Sequence, residues 1–186
     1  MKDSPHFKTN VLLKNIVGKD LINDDNIAVL ELVKNSYDAG AKTVELYFRN
    51  LFNSVESKPE TPTDGIKGKT KTQNQPEPEI MVVDAGSGMT RNDLENKWLN
   101  IAYSDKKNKA TKQRRVMAGN KGVGRFSCDR LGAKLDLFTR VPGGDLLYLS
   151  VNWEDYEGEN APDLEIQAIP VLLKKTTLQH LSEVTG

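Results

Sequence analysis

The sequence predicts an α+β domain: one mixed or mainly antiparallel sheet with helices on one face. Three observations predict it. The elements run helix, strand, strand, helix, loop, helix and then a series of strands, with no internal repeat. The regular strand–helix alternation of a doubly wound parallel fold is missing. With 37% hydrophobic and 28% charged residues, the 186-residue chain can bury a core without disulfide or metal staples.

The elements follow in order. Residues 9–18 hold a short apolar stretch of one or two helical turns closed by Gly18. Residues 25–39 read as a helix, capped by Asn23, Asp24 or Asp25 and stopped near Gly40. Residues 42–50 alternate Val44, Leu46 and Phe48 with polar neighbours, the pattern of a half-buried strand. Residues 53–78 hold four of the eight prolines and almost no large apolar side chain, so they are expected as a flexible insertion between two strands. Residues 79–84 (EIMVVD) read as a buried strand, and 91–99 as helix. A polar, basic segment spans 100–121, and 124–131 begins another helix ended by Gly132. Residues 134–140 and 146–153 read as a strand pair joined by a Pro142-Gly143-Gly144 turn. A further strand is expected at 163–169, and Thr176 is expected to cap a last short helix.

Composition narrows the chemistry. Lys plus Arg equals Asp plus Glu at 26 each, so no global charge draws the chain to nucleic acid or an anionic membrane. No window is long and apolar enough to span a bilayer, and MKDSPHFKTN lacks a signal-peptide core, so no membrane partner and a cytoplasmic location are expected. Cys128 is the only cysteine, which excludes an internal disulfide and a CxxC site. His6 and His180 lie near opposite ends and fit neither a triad nor a His-rich metal centre. The chemistry must come from carboxylates, amides, glycines and cations.

Four features carry it. At about 100° per residue, Glu31, Asn35 and Asp38 share one face of the 25–39 helix. Val29, Leu30, Leu32, Val33 and Tyr37 fill the rest, which predicts a buried helix with its polar triad turned into a pocket. Asn35 offers a neutral oxygen suited to Mg²⁺ held mainly by phosphates and waters, and Glu31 a general base one turn away. A helix with a few exposed polar residues fits the spacing as well. Asp84-Ala85-Gly86-Ser87-Gly88-Met89 ends an apolar strand with an acceptor-only acid and two glycines. A buried Asp there would accept from the amino group of adenine and reject guanine, although an Asp-Gly β-turn has the same composition. Arg91 stands where a dinucleotide fingerprint needs a third glycine. Gly119-Asn120-Lys121-Gly122-Val123-Gly124-Arg125-Phe126-Ser127 places three glycines before a helix start, either an anion site or a hinge. Lys106, Lys107, Lys109, Lys112, Arg114, Arg115 and Lys121 make a basic run, either a phosphate-neutralising lid or a solvated face.

In order and spacing, Glu31-Leu-Val-Lys-Asn35-Ser-Tyr-Asp38-Ala-Gly-Ala, Asp84-Ala-Gly86-Ser-Gly88-Met89 and Gly119-Asn-Lys121-Gly122-Val-Gly124-Arg-Phe-Ser resemble the three nucleotide-binding boxes of the GHKL ATPase superfamily. That group includes gyrase B, the ninety-kilodalton heat-shock chaperone, sensor histidine kinases and MutL-type repair proteins. The first box is most similar to the MutL and microrchidia type, and the end of the third to the chaperone. The likeness covers roughly residues 10–140, with the 53–78 insertion outside it.

The resemblance implies a two-layer α/β sandwich, the Bergerat fold, with ATP and Mg²⁺ as cofactors. By that likeness Glu31 activates the attacking water, and Asn35 ligates Mg²⁺ beside Asp38. Asp84 binds the adenine amino group, and Gly86, Gly88 and Met89 shape the ring pocket. Lys121, Gly122, Val123 and Gly124 meet the phosphates, and Thr139 lies near adenine. Residues 1–186 are then one ATP-binding domain, expected to be the N-terminal region of a longer protein. ATP and ADP are its ligands, with homodimerisation, downstream domains of the same chain, and a client protein or nucleic acid as further partners. Slow hydrolysis driving lid closure is the expected activity. A nucleotide-gated interaction module with negligible turnover is the alternative. A Glu at position 31 disfavours phosphotransfer to a protein histidine, because histidine kinases usually lack it.

Overall fold

A computed structural model describes residues 24–51, 77–100, 127–156, 166 and 171–186 of the chain. The expectations for 9–18, for nearly all of the 53–78 insertion and for all but residue 100 of the 100–121 basic run lie outside them.

Helix α1 spans Asp25–Asp38. Asp24 is extended and its Oδ1 accepts the Asn26 N–H at 2.7 Å, satisfying one of the orphan donors of the first turn. Gly40 closes the other end at φ +82°. Its N–H reaches the Tyr37 carbonyl at 2.9 Å, and the Ala41 N–H reaches the Ser36 carbonyl at 3.1 Å, a Schellman cap that turns the chain sharply into the next strand. The expectation of a helix buried on most sides is corrected. Only Ala28 and Ser36 are fully buried, while Ile27, Leu30 and Tyr37 are 45%, 51% and 41% exposed. The helix rests on α3, with lighter contact to β1 and β2, so apolar residues spread around its circumference cannot all be covered.

Strands β1 (Val44–Arg49) and β2 (Glu79–Asp84) form an antiparallel ladder from Val44↔Asp84 to Arg49↔Glu79. Asp84 therefore sits at the ladder's end, level with the start of β1. Both strands are where the sequence puts them, but their burial differs from expectation: Leu46, Phe48 and Val83 are exposed. This ladder and the second sheet are separate among the described residues.

The second sheet has order β3-β4-β5, all antiparallel: Lys134–Thr139, Leu147–Asn152 and Leu172–Lys175. Leu135, Leu137 and Thr139 oppose Val151, Leu149 and Leu147, and side chains directly opposite share a face. That face is the core. Leu94, Leu147, Leu149, Val151, Trp153 and Tyr156 are buried together, with Met89, Leu137 and Leu173 against them. Leu94 opens a π-turn, Leu94–Trp98, that continues the single α turn α2 (Arg91–Asp93). Removing Leu149, which is fully buried, would cost about 2–5 kcal/mol. The β3–β4 turn runs through Pro142 and Gly143 at φ +72°, with the Gly144 N–H on the Val141 carbonyl at 2.9 Å.

Helix α3 covers Ser127–Leu131 and α4 covers Leu178–Thr185. Thr177, not Thr176, caps α4, because it is the extended residue three positions before the accepted His180 N–H. Thr176 Oγ1 meets His180 Nδ1 at 2.9 Å instead. His180 stacks edge-on to Tyr148 at 4.8 Å and lies 5.6 Å from Phe138, holding α4 on the face of the sheet opposite the core. The strand at 172–175 is one the sequence reading did not name. The strand expected at 163–169 lies outside the described residues except for Ile166, which sits in a 3-10 turn. Helices with antiparallel sheets give the chain its α+β composition.

Candidate functional site

Three stretches far apart in sequence meet at one junction. The C-terminal turn of α1 supplies Ser36 and Ala39. The loop after β2 supplies Asp84, Gly86, Ser87, Gly88 and Met89. The end of β3 supplies Thr139 and Arg140.

Ser36, 4% exposed, donates from Oγ to Asp84 Oδ2 at 2.7 Å. Asp84 Oδ1 accepts the Gly86 N–H at 2.8 Å. Both carboxylate oxygens are thus oriented by the protein, and each keeps a lone pair for another donor. Asp84 itself is exposed, which corrects the expectation of a buried acid. The ladder ends there, and nothing in β1 extends past Val44 to cover it.

The glycines are required by close approach. A Cβ on Gly86 would lie 2.8 Å from Ala39 Cβ and 2.9 Å from Asp84 Oδ1. The Ser87 N–H bonds the Ala39 carbonyl at 2.9 Å, so this loop is sewn to the end of α1. Gly88 has φ +66°, and a Cβ there would lie 2.1 Å from the Arg140 carbonyl oxygen. The next residue, Met89, donates its N–H to Thr139 Oγ1 at 2.9 Å. Thr139 is 9% exposed, and its hydroxyl holds the loop that follows Asp84.

Downstream, the loop is locked by a capping box. Thr90 Oγ1 accepts the Asp93 N–H at 3.2 Å, and Asp93 Oδ2 accepts the Thr90 N–H at 3.0 Å. Lys97 reaches Asp93 Oδ1 at 2.5 Å. Lys97 first, and then the Thr90 hydroxyl, hold the Asp93 carboxyl down at about 2.

The remaining residues of the first box lie elsewhere on α1. Glu31 is half-buried and its Oε1 accepts from Lys34 Nζ at 2.6 Å. Asn35 is exposed and Asp38 half-buried. At about 100° per residue, Ser36 points about 140° away from Glu31, so the helix faces Asp84 with one side and turns Glu31 to another. Lys121, Gly122, Val123 and Gly124 lie outside the described residues. Sequence reasoning named Asp84, Gly86, Gly88, Met89 and Thr139, which the structure brings together. It missed Ser36, whose signal was its place beside Asn35 and its turn of about 100° toward the strand side.

An acceptor-only carboxylate with open lone pairs, beside a loop bare of side chains at Gly86 and Gly88, fits the amino edge of a flat purine. Among the described residues no group of three His, Cys, Asp or Glu side chains could hold a metal ion. An exposed Asn35 amide suits only Mg²⁺ whose other ligands are phosphates and waters. Among the described residues no helix is long and apolar enough to cross a membrane.

Comparison with protein families gives one further finding. The model described as "Histidine kinase-, DNA gyrase B-, and HSP90-like ATPase" matches residues 23–182, from the residue before the Asp24 cap into helix α4. No curated protein matches the chain.

Proposed function

Because the chain belongs to the histidine kinase-, DNA gyrase B- and HSP90-like (GHKL) ATPase family, a family of ATP-binding domains, we propose that it binds Mg²⁺-ATP and hydrolyses it slowly. The observation that carries this is the Ser36–Asp84–Gly86 network. It sets a carboxylate beside a glycine-lined loop, which suits an adenine amino group and repels the carbonyl of guanine.

In this reading Asp84 reads the ring edge, and Gly86, Gly88 and Met89 give it room. Asn35 would contribute one oxygen to Mg²⁺, which would supply charge neutralisation at the phosphates. Glu31 accepts a proton from the water that attacks the γ-phosphorus, as the bond to the β–γ bridging oxygen breaks and ADP leaves. Glu31 must first release Lys34. An i,i+3 pair of this partly exposed kind is worth about 0.3–0.5 kcal/mol, so phosphate charge can draw Lys34 away. Lys121, Gly122, Val123 and Gly124 would meet the phosphates, and Asp38 would support the Asn35 side of the helix. Lid closure and dimerisation of a larger protein are the outputs we assign to turnover.

The Lys34–Glu31 pair also favours a second reading, a nucleotide-gated interaction module with negligible turnover, since a base held by a cation is a poor proton acceptor. Phosphate release set against an ATP titration separates the two. In the ATPase reading Glu31→Ala keeps ATP binding and loses hydrolysis, Asp84→Asn loses ATP binding, and GTP does not bind the wild type. Turnover at the wild-type rate in Glu31→Ala removes the general base from the account.

A further inference from the structure

Helix α1 carries Glu31 and Asn35, and its two ends are held by different parts of the chain. The C-terminal end is fixed by Ser36–Asp84 and Ala39–Ser87. The N-terminal end is met by Arg130 of α3, whose Nε donates to Asp25 Oδ1 at 2.6 Å across 105 residues. Helices α1 and α3 pack together, and Ala28 and Ser127, one on each, are fully buried.

The placement of Arg130 is unusual for a stabilising contact. A helix N-terminus carries partial positive charge, so a cation there is opposed by about 0.3–1 kcal/mol. The Asp25 side chain is 73% exposed, and an exposed ion pair returns about 0–1 kcal/mol. The two terms nearly cancel, so the pair adds direction rather than stability. Asp24 lies close as well. Its carboxyl is held low first by the Asn26 N–H and to a smaller extent by the Arg130 charge.

We propose that Asp25 and Arg130 form a positioning clasp. It sets the axial register of α1 against α3, and through it the placement of Glu31 over bound nucleotide. The inference rests on the hydrolytic reading of the site, and Asp25 and Arg130 act through α1 without touching the substrate. Asp25 lies six residues before Glu31, less than two turns, so a shift of the first turn is felt at the base and damped at Asp84, where the other end is pinned.

The test uses Asp25→Asn, Arg130→Gln and the charge-swapped pair Asp25→Arg with Arg130→Asp. Each single variant should lower kcat about threefold to tenfold, with ATP affinity within about twofold, because misplacement of a catalytic group costs rate more than binding. The swap should recover most of the loss. Amide exchange of nucleotide-free protein should rise at residues 27–31 in the singles and stay unchanged in β3 and β4. Singles with wild-type kcat and wild-type exchange overturn the clasp, as does a swap that recovers nothing. Wild-type protein that fails to bind ATP overturns the functional reading instead, and the exchange measurement then decides the clasp alone.

Discussion

Ser36 Oγ donates to Asp84 Oδ2 at 2.7 Å, joining the last turn of α1 to the tip of β2 across 48 residues. This bond ties the first sequence box to the second. It also explains why a hydroxyl stands next to Asn35: the strand end needs a donor that orients Asp84 and leaves it lone pairs with which to accept.

Ser36→Ala should therefore weaken ATP binding while leaving the fold intact. A hydrogen bond to a charged but exposed group contributes about 1 kcal/mol, or about a fivefold rise in Kd. Calorimetric titration measures it beside the melting temperature. An unchanged Kd would show that Asp84 orients itself through Gly86 alone.

Gly88→Ala should cost stability as well as binding. Its φ of +66° and the Arg140 carbonyl 2.1 Å from the new Cβ leave no room, so a loss of about 2 kcal/mol or more is expected. Gly143→Ala is the control. Its φ is +72° but nothing lies within 4 Å, so the backbone penalty of about 1 kcal/mol acts alone. Urea unfolding of the two variants should differ, and equal losses would mean that the loop does not pack on β3 as described.

Asp93 should make the acid limb of stability steeper. Its folded carboxyl titrates at about 2, below the ordinary 3.8. A depressed carboxyl contributes stability that is present above pH 3.8 and disappears as pH falls through about 2. Discounted for partial exposure, the contribution is about 1 kcal/mol. Lys97→Gln keeps the Thr90 cap and should move the Asp93 titration, read by NMR, back toward 3.8. A titration that stays near 2 would assign the whole effect to Thr90.

Cys128 should be inert while the protein is folded. Burial pushes its thiol up to about 12, so almost no thiolate exists at neutral pH. Alkylation at pH 8 should proceed only after denaturant is added, and rapid labelling of native protein would contradict this packing.

Much of the fold was legible because local patterns suffice for it. The Asp24 cap and Gly40 stop lie where a helix needs a side-chain acceptor and a left-handed residue, and α1 ends within one residue of its expected limit. EIMVVD has strand composition throughout, and β2 matches it end to end. Burial was less legible. Leu30, Phe48 and Val83 are apolar in sequence and exposed in the fold, because periodicity shows which face an element prefers but not whether another layer reaches it. The shift of the cap to Thr177 has a local origin: Thr176 and Thr177 can both serve, and Thr177 is the one whose hydroxyl meets the His180 N–H.

The sequence by itself determined the α+β class and the family, because those depend on residue type and order along the chain. Only the tertiary structure decided that Ser36 holds Asp84, that Thr139 holds Met89, that Lys34 occupies Glu31 and that Arg130 reaches back to Asp25. Hydroxyls, amides and charges bond whatever lies within about 3 Å. Which partner arrives there is set by how helices and strands far apart in sequence come to rest on one another.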